Sequence, residues 1–386
     1  MKEDVSLLPP NDERWRPIFR RGLRALQAGD TLTAGRLFES GLELAPDQPE
    51  LLIAAGRERM RQGRYQQAEP LLARAVASSP QSIAATALWA RVLGLHLDRR
   101  QEAFSVVHRA LEADAEAVEL HVIRGELLLE DNAIAAARAA FAQAIDVDGA
   151  DESARVGLAR TFNAEAIALS EAGESEPAIF ALKRAADLDP EWSGPHVNMG
   201  VVFGRLGKFT RAVDAYLAAL DRDAENPVAL FNLGATYHQL GRLSEAIGPL
   251  EDLLTLLPEY PQVRVALANV LGDQRQFGRA IALLLEEIEI HHNSAEAWSA
   301  LGLAYTCAGN IRRGEECLQQ ALTWDPGHFN GYHNLAVLYA TQHREVEARA
   351  VLQRAYHLDP HRAALLYESD ESFRELRRSE PELGPV

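Results

Sequence analysis

A chain of 386 residues with 47% hydrophobic content is longer than one ordinary globular domain, so it is either two or three domains or an array of repeats. Its formal net charge of −17 argues against a general nucleic-acid binder, because phosphate contacts need clustered cations. No run of about 18 apolar residues occurs, so no membrane insertion is expected, and Cys307 and Cys317, the two cysteines, do not make a disulfide framework.

Residues 1–14 are polar and carry two prolines. They read as a flexible N-terminal tail rather than a secretory signal, and a cytoplasmic location is the expectation. Lys2, Lys183 and Lys208 are the only lysines, a codon-usage trait of GC-rich bacteria. From Trp15 onward the composition, rich in alanine and leucine, favours helix. Helix-ending residues recur at Pro46, Pro80, Ala115, Gly149, Pro190, Ala224, Pro258, His292, Pro326 and Pro360, with spacings of 34, 35, 34 and 41 and then 34 five times. A second series, Ala34, Ala68, Ala103, Ala137, Ala178, Ala212, Ala246, Ala280, Gly314 and Ala348, has the same intervals. Small residues stand twelve to fourteen places ahead of these, from Gly22 and Gly56 through Gly200 and Gly234 to Ala336. Three coincident series at one period define an array of helix-turn-helix repeats. Repeats 1–4 occupy residues 15–151 and repeats 5–10 occupy residues 152–362.

One unit shows the physics. Leu230, Leu233, Gly234 and Tyr237 recur at helical spacing on one face. Gly241 then permits a sharp reversal, and a second helix presents Ala246, Leu250 and Leu253. Pro258 stops that helix by removing a hydrogen bond and clashing with the preceding turn. One hairpin cannot cover its own apolar face, so each stacks on the next. Between Gly149 and Pro190 seven extra residues appear, about two helical turns, and the first helix of repeat 5 is expected to be extended by that amount. Residues 363–386 read as a capping helix and tail that cover the last apolar face.

The small–x–x–aromatic run, the alanine, the large residue four places on and the terminal proline resemble the tetratricopeptide repeat, over roughly Trp15 to Arg362. The match is clearest in GVVFGRLGKFTRAVDAYLAAL and LGATYHQLGRLSEAIGPL. It is weakest around Ala84–Ala115, where LHLDRRQ replaces the usual turn glycine. The resemblance implies an all-α, right-handed superhelical solenoid of about ten repeats with a C-terminal capping helix. It also implies a concave groove, lined by first helices, that binds extended peptides, and it implies no catalytic residues.

By analogy with that family, Asn198, Val201, Phe231, Asn232, Ala235, His238, Val265, Asn269, Leu303, His333, Asn334 and Val337 line a peptide-binding groove that is low in charge. An asparagine side chain offers an acceptor and two donors, which suits the backbone of an extended peptide. Residues 51–100 hold eight basic and three acidic side chains, net +5, and residues 101–200 hold seven basic and nineteen acidic, net −12. Within the basic stretch, GRERMRQGR places Arg57 and Arg61 toward the groove as a candidate anion site, since the guanidinium fork suits carboxylate or phosphate. Neither a metal site nor a cofactor is expected, and the two cysteines read as small buried hydrophobes. The expected function is a non-enzymatic scaffold or adaptor for one or more proteins or peptides. The alternative is a self-associating or peptide-sensing module that organises a larger complex.

Overall fold

The stop signals and the turn glycines set where each helix ends, and in the structure, a computed structural model, the chain forms helices between those points. Residues 13–260 and 262–379 are described. Residues 1–12 of the expected tail and 380–386 at the other end lie outside them. The chain divides into two compact units, Met1–Glu191 and Trp192–Val386.

The first unit contains α1 (Trp15–Gln27), α2 (Thr31–Leu44), α3 (Pro49–Arg61), α4 (Tyr65–Ser78), α5 (Ile83–Arg91), α6 (Arg100–Ala113), α7 (Val118–Glu130), α8 (Ile134–Val147), α9 (Glu152–Glu171) and α10 (Ser175–Leu188). The second contains α11 (Gly194–Arg205), α12 (Phe209–Leu220), α13 (Pro227–Gln239), α14 (Leu243–Leu256), α15 (Val263–Asp273), α16 (Phe277–Ile290), α17 (Ala295–Cys307), α18 (Ile311–Trp324), α19 (Phe329–Thr341) and α20 (Glu345–Leu358), followed by α21 (Pro360–Ser369) and α22 (Arg374–Ser379). Each odd-numbered helix through α19 packs against the even-numbered helix after it, and each pair packs on the next within its unit. Every element is helical among the described residues, so each unit is an all-α solenoid. No described helix is long and apolar enough to cross a membrane.

Each hairpin closes where a residue without bulk faces a large one. A Cβ at Gly234 would lie 2.6 Å from Leu250 Cγ and 3.2 Å from the Ala246 carbonyl. Ala246 and Leu250 are fully buried. The turns inside the hairpins form a further periodic series that the composition conceals. Gly29, Gly63, Asp98, Asn132, Gly173, Gly207, Gly241, Arg275, Gly309 and His343 all have positive φ, the left-handed conformation that ends a helix. At Gly241 the amide donates to the His238 carbonyl (2.9 Å) and the next amide, of Arg242, donates to Tyr237 (2.9 Å). Arg275 and Gln276 repeat the arrangement at 2.8 Å each, although arginine carries the steric cost of the conformation.

Both irregular repeat lengths are absorbed by helix. The additional residue of repeat 3 widens one turn, Val92–His96, to π geometry, where the Leu97 amide donates to Val92, five residues back (3.1 Å). The seven extra residues of repeat 5 make α9 20 residues long. As the first helix of repeat 5, α9 packs on α10 and also on α7 and α8 of the preceding repeat, and the first compact unit runs through both helices of repeat 5 to Glu191.

The single capping helix read from the sequence is broken in two. The Asp370 side chain accepts from the Ser372 amide (2.8 Å) and starts a 3-10 turn, Glu371–Phe373. The break folds Phe373 and Leu376 back beside Tyr367 into the core of the last repeat, all three buried. Arg377 Nη1 donates to the Asp370 carbonyl (2.7 Å) and to that of Tyr367, which holds the bend.

A buried ion pair locks repeat 8. Arg264, 8% exposed, donates to the Pro258 carbonyl (2.6 Å) and meets Glu287, 7% exposed, at 3.4 Å. Replacing Glu287 by alanine strands a buried guanidinium and is expected to cost about 3–5 kcal/mol. Loss of the exposed neighbour Glu286 should cost less than about 1 kcal/mol. Urea unfolding of the two variants checks the difference. In the turns, Arg275→Gly is expected to stabilise by up to about 1 kcal/mol and Gly241→Ala to destabilise by about 1–2 kcal/mol, which thermal midpoints would separate by sign.

Candidate functional site

In the second unit the first helices of repeats 7 to 10 form one face, and a cavity of about 310 Å³ opens on it. Asn269 on α15, Ser299 and Leu303 on α17 and Asn334 on α19 line it, with His238 of α13 at its edge. These positions converge because residues three or four apart share a helix face and the helices are stacked in register. Asn334 Nδ2 donates to Ser299 Oγ (3.2 Å), and Ser299 is 2% exposed. Among the described residues the Asn269 side chain makes no hydrogen bond, which leaves a half-buried amide at the cavity.

Two carboxylates that the sequence reading did not place here also line it, Asp273 and Glu296. Asp273 follows Asn269 by four residues and Glu296 precedes Ser299 by three, so helical spacing put each on the face of a groove candidate, and the packing of α15 on α17 brought the two together. His238 Nε2 lies 2.6 Å from Asp273 Oδ2, which requires the ring proton on Nε2. Glu296 Oε2 stands 3.5 Å from His328 Nε2. The face is therefore acidic at this cavity rather than low in charge.

The remaining groove candidates do not line this cavity. Val265 is 5% exposed and belongs to the core. Phe231 lies partly buried against that core and tilts over the Tyr260 ring at 5.7 Å, and Val201 packs there too. Asn198, Asn232 and Ala235 are half-buried on α11 and α13, and Asn198 is already engaged within the fold. Val337 packs against the core of the last repeat. His333 sits under the C-terminal cap, with Phe373 at 5.9 Å between ring centroids and Asp370 at 3.5 Å. Cys317 is buried but Cys307 is exposed on the cavity wall, contrary to the reading of both as buried. Partial desolvation by the cavity wall pushes the Cys307 thiol up, with Asp273 adding to the effect, and burial raises Cys317 to about 11, so neither is an activated nucleophile at neutral pH. No group of three or more potential metal ligands exists among the described residues.

The basic cluster of the first unit is split between two faces. Arg57 and Arg61 line a cavity of about 340 Å³ on the first-helix side, among Phe19, Leu23, Leu26 and Ile53. Arg59 and Arg64 point to the opposite side, into a larger cavity bounded by α2 and α4.

Family models described as tetratricopeptide repeat match residues 25–92, 197–262 and 308–363. The chain is a tetratricopeptide repeat protein. No curated protein sequence matches it. Among solved structures it is similar to the APC/C hetero-tetramer Cut9–Hcn1, at 14% identity over 95% of this chain and 96% of that one, with a TM-score of 0.47. It is also similar to a tetratricopeptide repeat protein from Parabacteroides merdae, at 14% identity over 68% and 97% of the two chains and a TM-score of 0.46. A third similar structure is YrrB, described as a TPR protein with an unusual peptide-binding site, at 24% identity over 49% and 97% and a TM-score of 0.37.

In the last repeat, burial pushes the His333 imidazole below its ordinary value of 6.5; Asp370 opposes this and Arg362 adds to it. The neutral ring is thus favoured by folding. Its contribution is complete above pH 6.5 and is lost as the pH falls through the depressed folded value. Between about pH 7.5 and about pH 5 the thermal midpoint of the wild type is expected to fall further than that of His333→Gln. Parallel profiles would remove His333 as the cause.

Proposed function

We propose that this protein is a scaffold that holds an extended segment of a partner protein along the first-helix face of its second unit. Tetratricopeptide repeat proteins generally bind proteins or peptides, and the observation that carries the reading here is the convergence of Asn269, Ser299 and Asn334 on one cavity. Side-chain amides on neighbouring first helices suit the backbone groups of an extended peptide, and Leu303, 38% exposed, offers an apolar contact between them. Asp273 and Glu296 add a preference for a lysine or arginine in the bound segment, because a carboxylate strengthens each hydrogen bond it accepts from a cation. Asn198 and Asn232 extend the same face toward α11.

Selecting peptides from a displayed random library on the immobilised protein, then titrating an enriched peptide, tests this. One ordinary hydrogen bond contributes about 0.5–1.5 kcal/mol, so Asn269→Ala combined with Asn334→Ala should weaken binding roughly tenfold. Enriched sequences should carry a basic residue, and affinity should fall as salt rises. Unchanged affinity in the double variant would reject this face.

A further inference from the structure

The larger cavity of the first unit has a chemistry of its own. It encloses about 700 Å³ between α2 and α4, with α3 as its floor. At Gly35 a Cβ would stand 3.4 Å from Glu58 Cγ, so α2 comes close to α3 at that point. Arg36, Arg59, Arg64 and Arg74 surround the opening against two carboxylates, Glu39 and Glu58. Two of the four are committed. Arg59 pairs with Glu39, and Arg74 Nη2 donates to Asp47 (3.0 Å) and to the Pro46 carbonyl (2.6 Å). Arg36 and Arg64 are exposed and carry no ion pair among the described residues. Asp30 is the carboxylate whose charge Arg36 feels.

Glu58, 2% exposed, is held from within the fold: Gln62 Nε2 donates to its Oε1 (3.1 Å), and its Oε2 faces Arg61 Nη1 at 3.7 Å. One backbone acceptor on the wall lacks its usual donor. Pro70 lies inside α4 and lines the cavity. A proline has no N–H, so the Gln66 carbonyl, on the same wall, lacks its usual donor four residues on. Leu32, 69% exposed, and half-buried Leu71 add apolar surface. Unpaired guanidinium groups at the rim, a backbone acceptor on the wall and aliphatic surface between them match one kind of occupant: an extended chain with anionic and apolar side chains that can give a backbone N–H to the wall.

We propose that the cleft between α2 and α4 is a second docking site, which takes an acidic segment of a partner protein. Arg36 and Arg64 hold its carboxylates, and the Gln66 carbonyl accepts a backbone amide. The site shares no lining residue with the cavity of the second unit and differs from it in charge.

The test uses the full chain and a short fluorescein-labelled peptide of alternating glutamate and leucine, read by anisotropy. Arg36→Gln with Arg64→Gln should weaken binding roughly tenfold or more, with an unchanged thermal midpoint because both side chains are exposed. Arg57→Gln with Arg61→Gln, on the other side of α3, should leave affinity within about twofold. Replacing glutamate by glutamine in the peptide should weaken it as much as the first variant does. The proposal is overturned if the two arginine pairs matter equally, if the glutamine peptide binds as well, or if inorganic phosphate alone displaces the peptide completely. Light scattering supplies one more outcome: self-association abolished by Arg36→Gln with Arg64→Gln would assign the cleft to a second copy of this chain and overturn the partner segment.

Discussion

The close approach of two helices within each hairpin is the constraint on which the rest depends. Gly22, Gly56, Gly125, Gly200, Gly234 and Gly302 each face a large side chain sixteen residues later: Phe38, Leu72, Phe141, Tyr216, Leu250 and Leu318. A methyl group at any of these glycines would intrude on its partner, and a well-packed interior tolerates little added volume. With the helices this close, the turn between them must reverse the chain in two or three residues. The left-handed residue supplies that reversal, whether it is Gly241 or Arg275. The period of the array follows from the pair and the turn together.

That rigidity decides where irregularity can go. An extra residue in repeat 3 and seven in repeat 5 leave the facing pair and the turn intact, and both are taken up along a first helix. Regular stacking in turn brings side chains one repeat apart into line, so Asn334 reaches Ser299 and His238 reaches Asp273 across 35 residues each. A binding face is the natural product of such a stack, because the same helical positions recur side by side while their chemistry varies freely.

Electrostatics then distinguishes the faces. The acidic cavity of the second unit and the arginine-rimmed cleft of the first carry opposite charge, although the chain as a whole stands at −17. Opposed local charge gives two sites different partner preferences, and it acts on encounter rate and specificity more than on raw affinity. The apolar and amide groups between the charges supply the contact that lasts.

The sequence by itself determined the helices, their pairing and the repeat period, because glycine, alanine and proline act through local sterics that no distant residue can override. The resemblance to the tetratricopeptide repeat also assigned Asn269, Leu303 and Asn334, on three different helices, to one groove. Tertiary structure decided the rest. Arg57 and Arg59 differ by two positions, yet one lines the first-helix cavity and the other meets Glu39 on α2. His333 has a groove position in its repeat but lies under Phe373, because Asp370 breaks the cap and folds it back. Asp273 and Glu296, separated by 23 residues, enter one cavity only because α15 and α17 are neighbours. Local geometry fixes which way a side chain leaves its helix, and only packing fixes what it meets there.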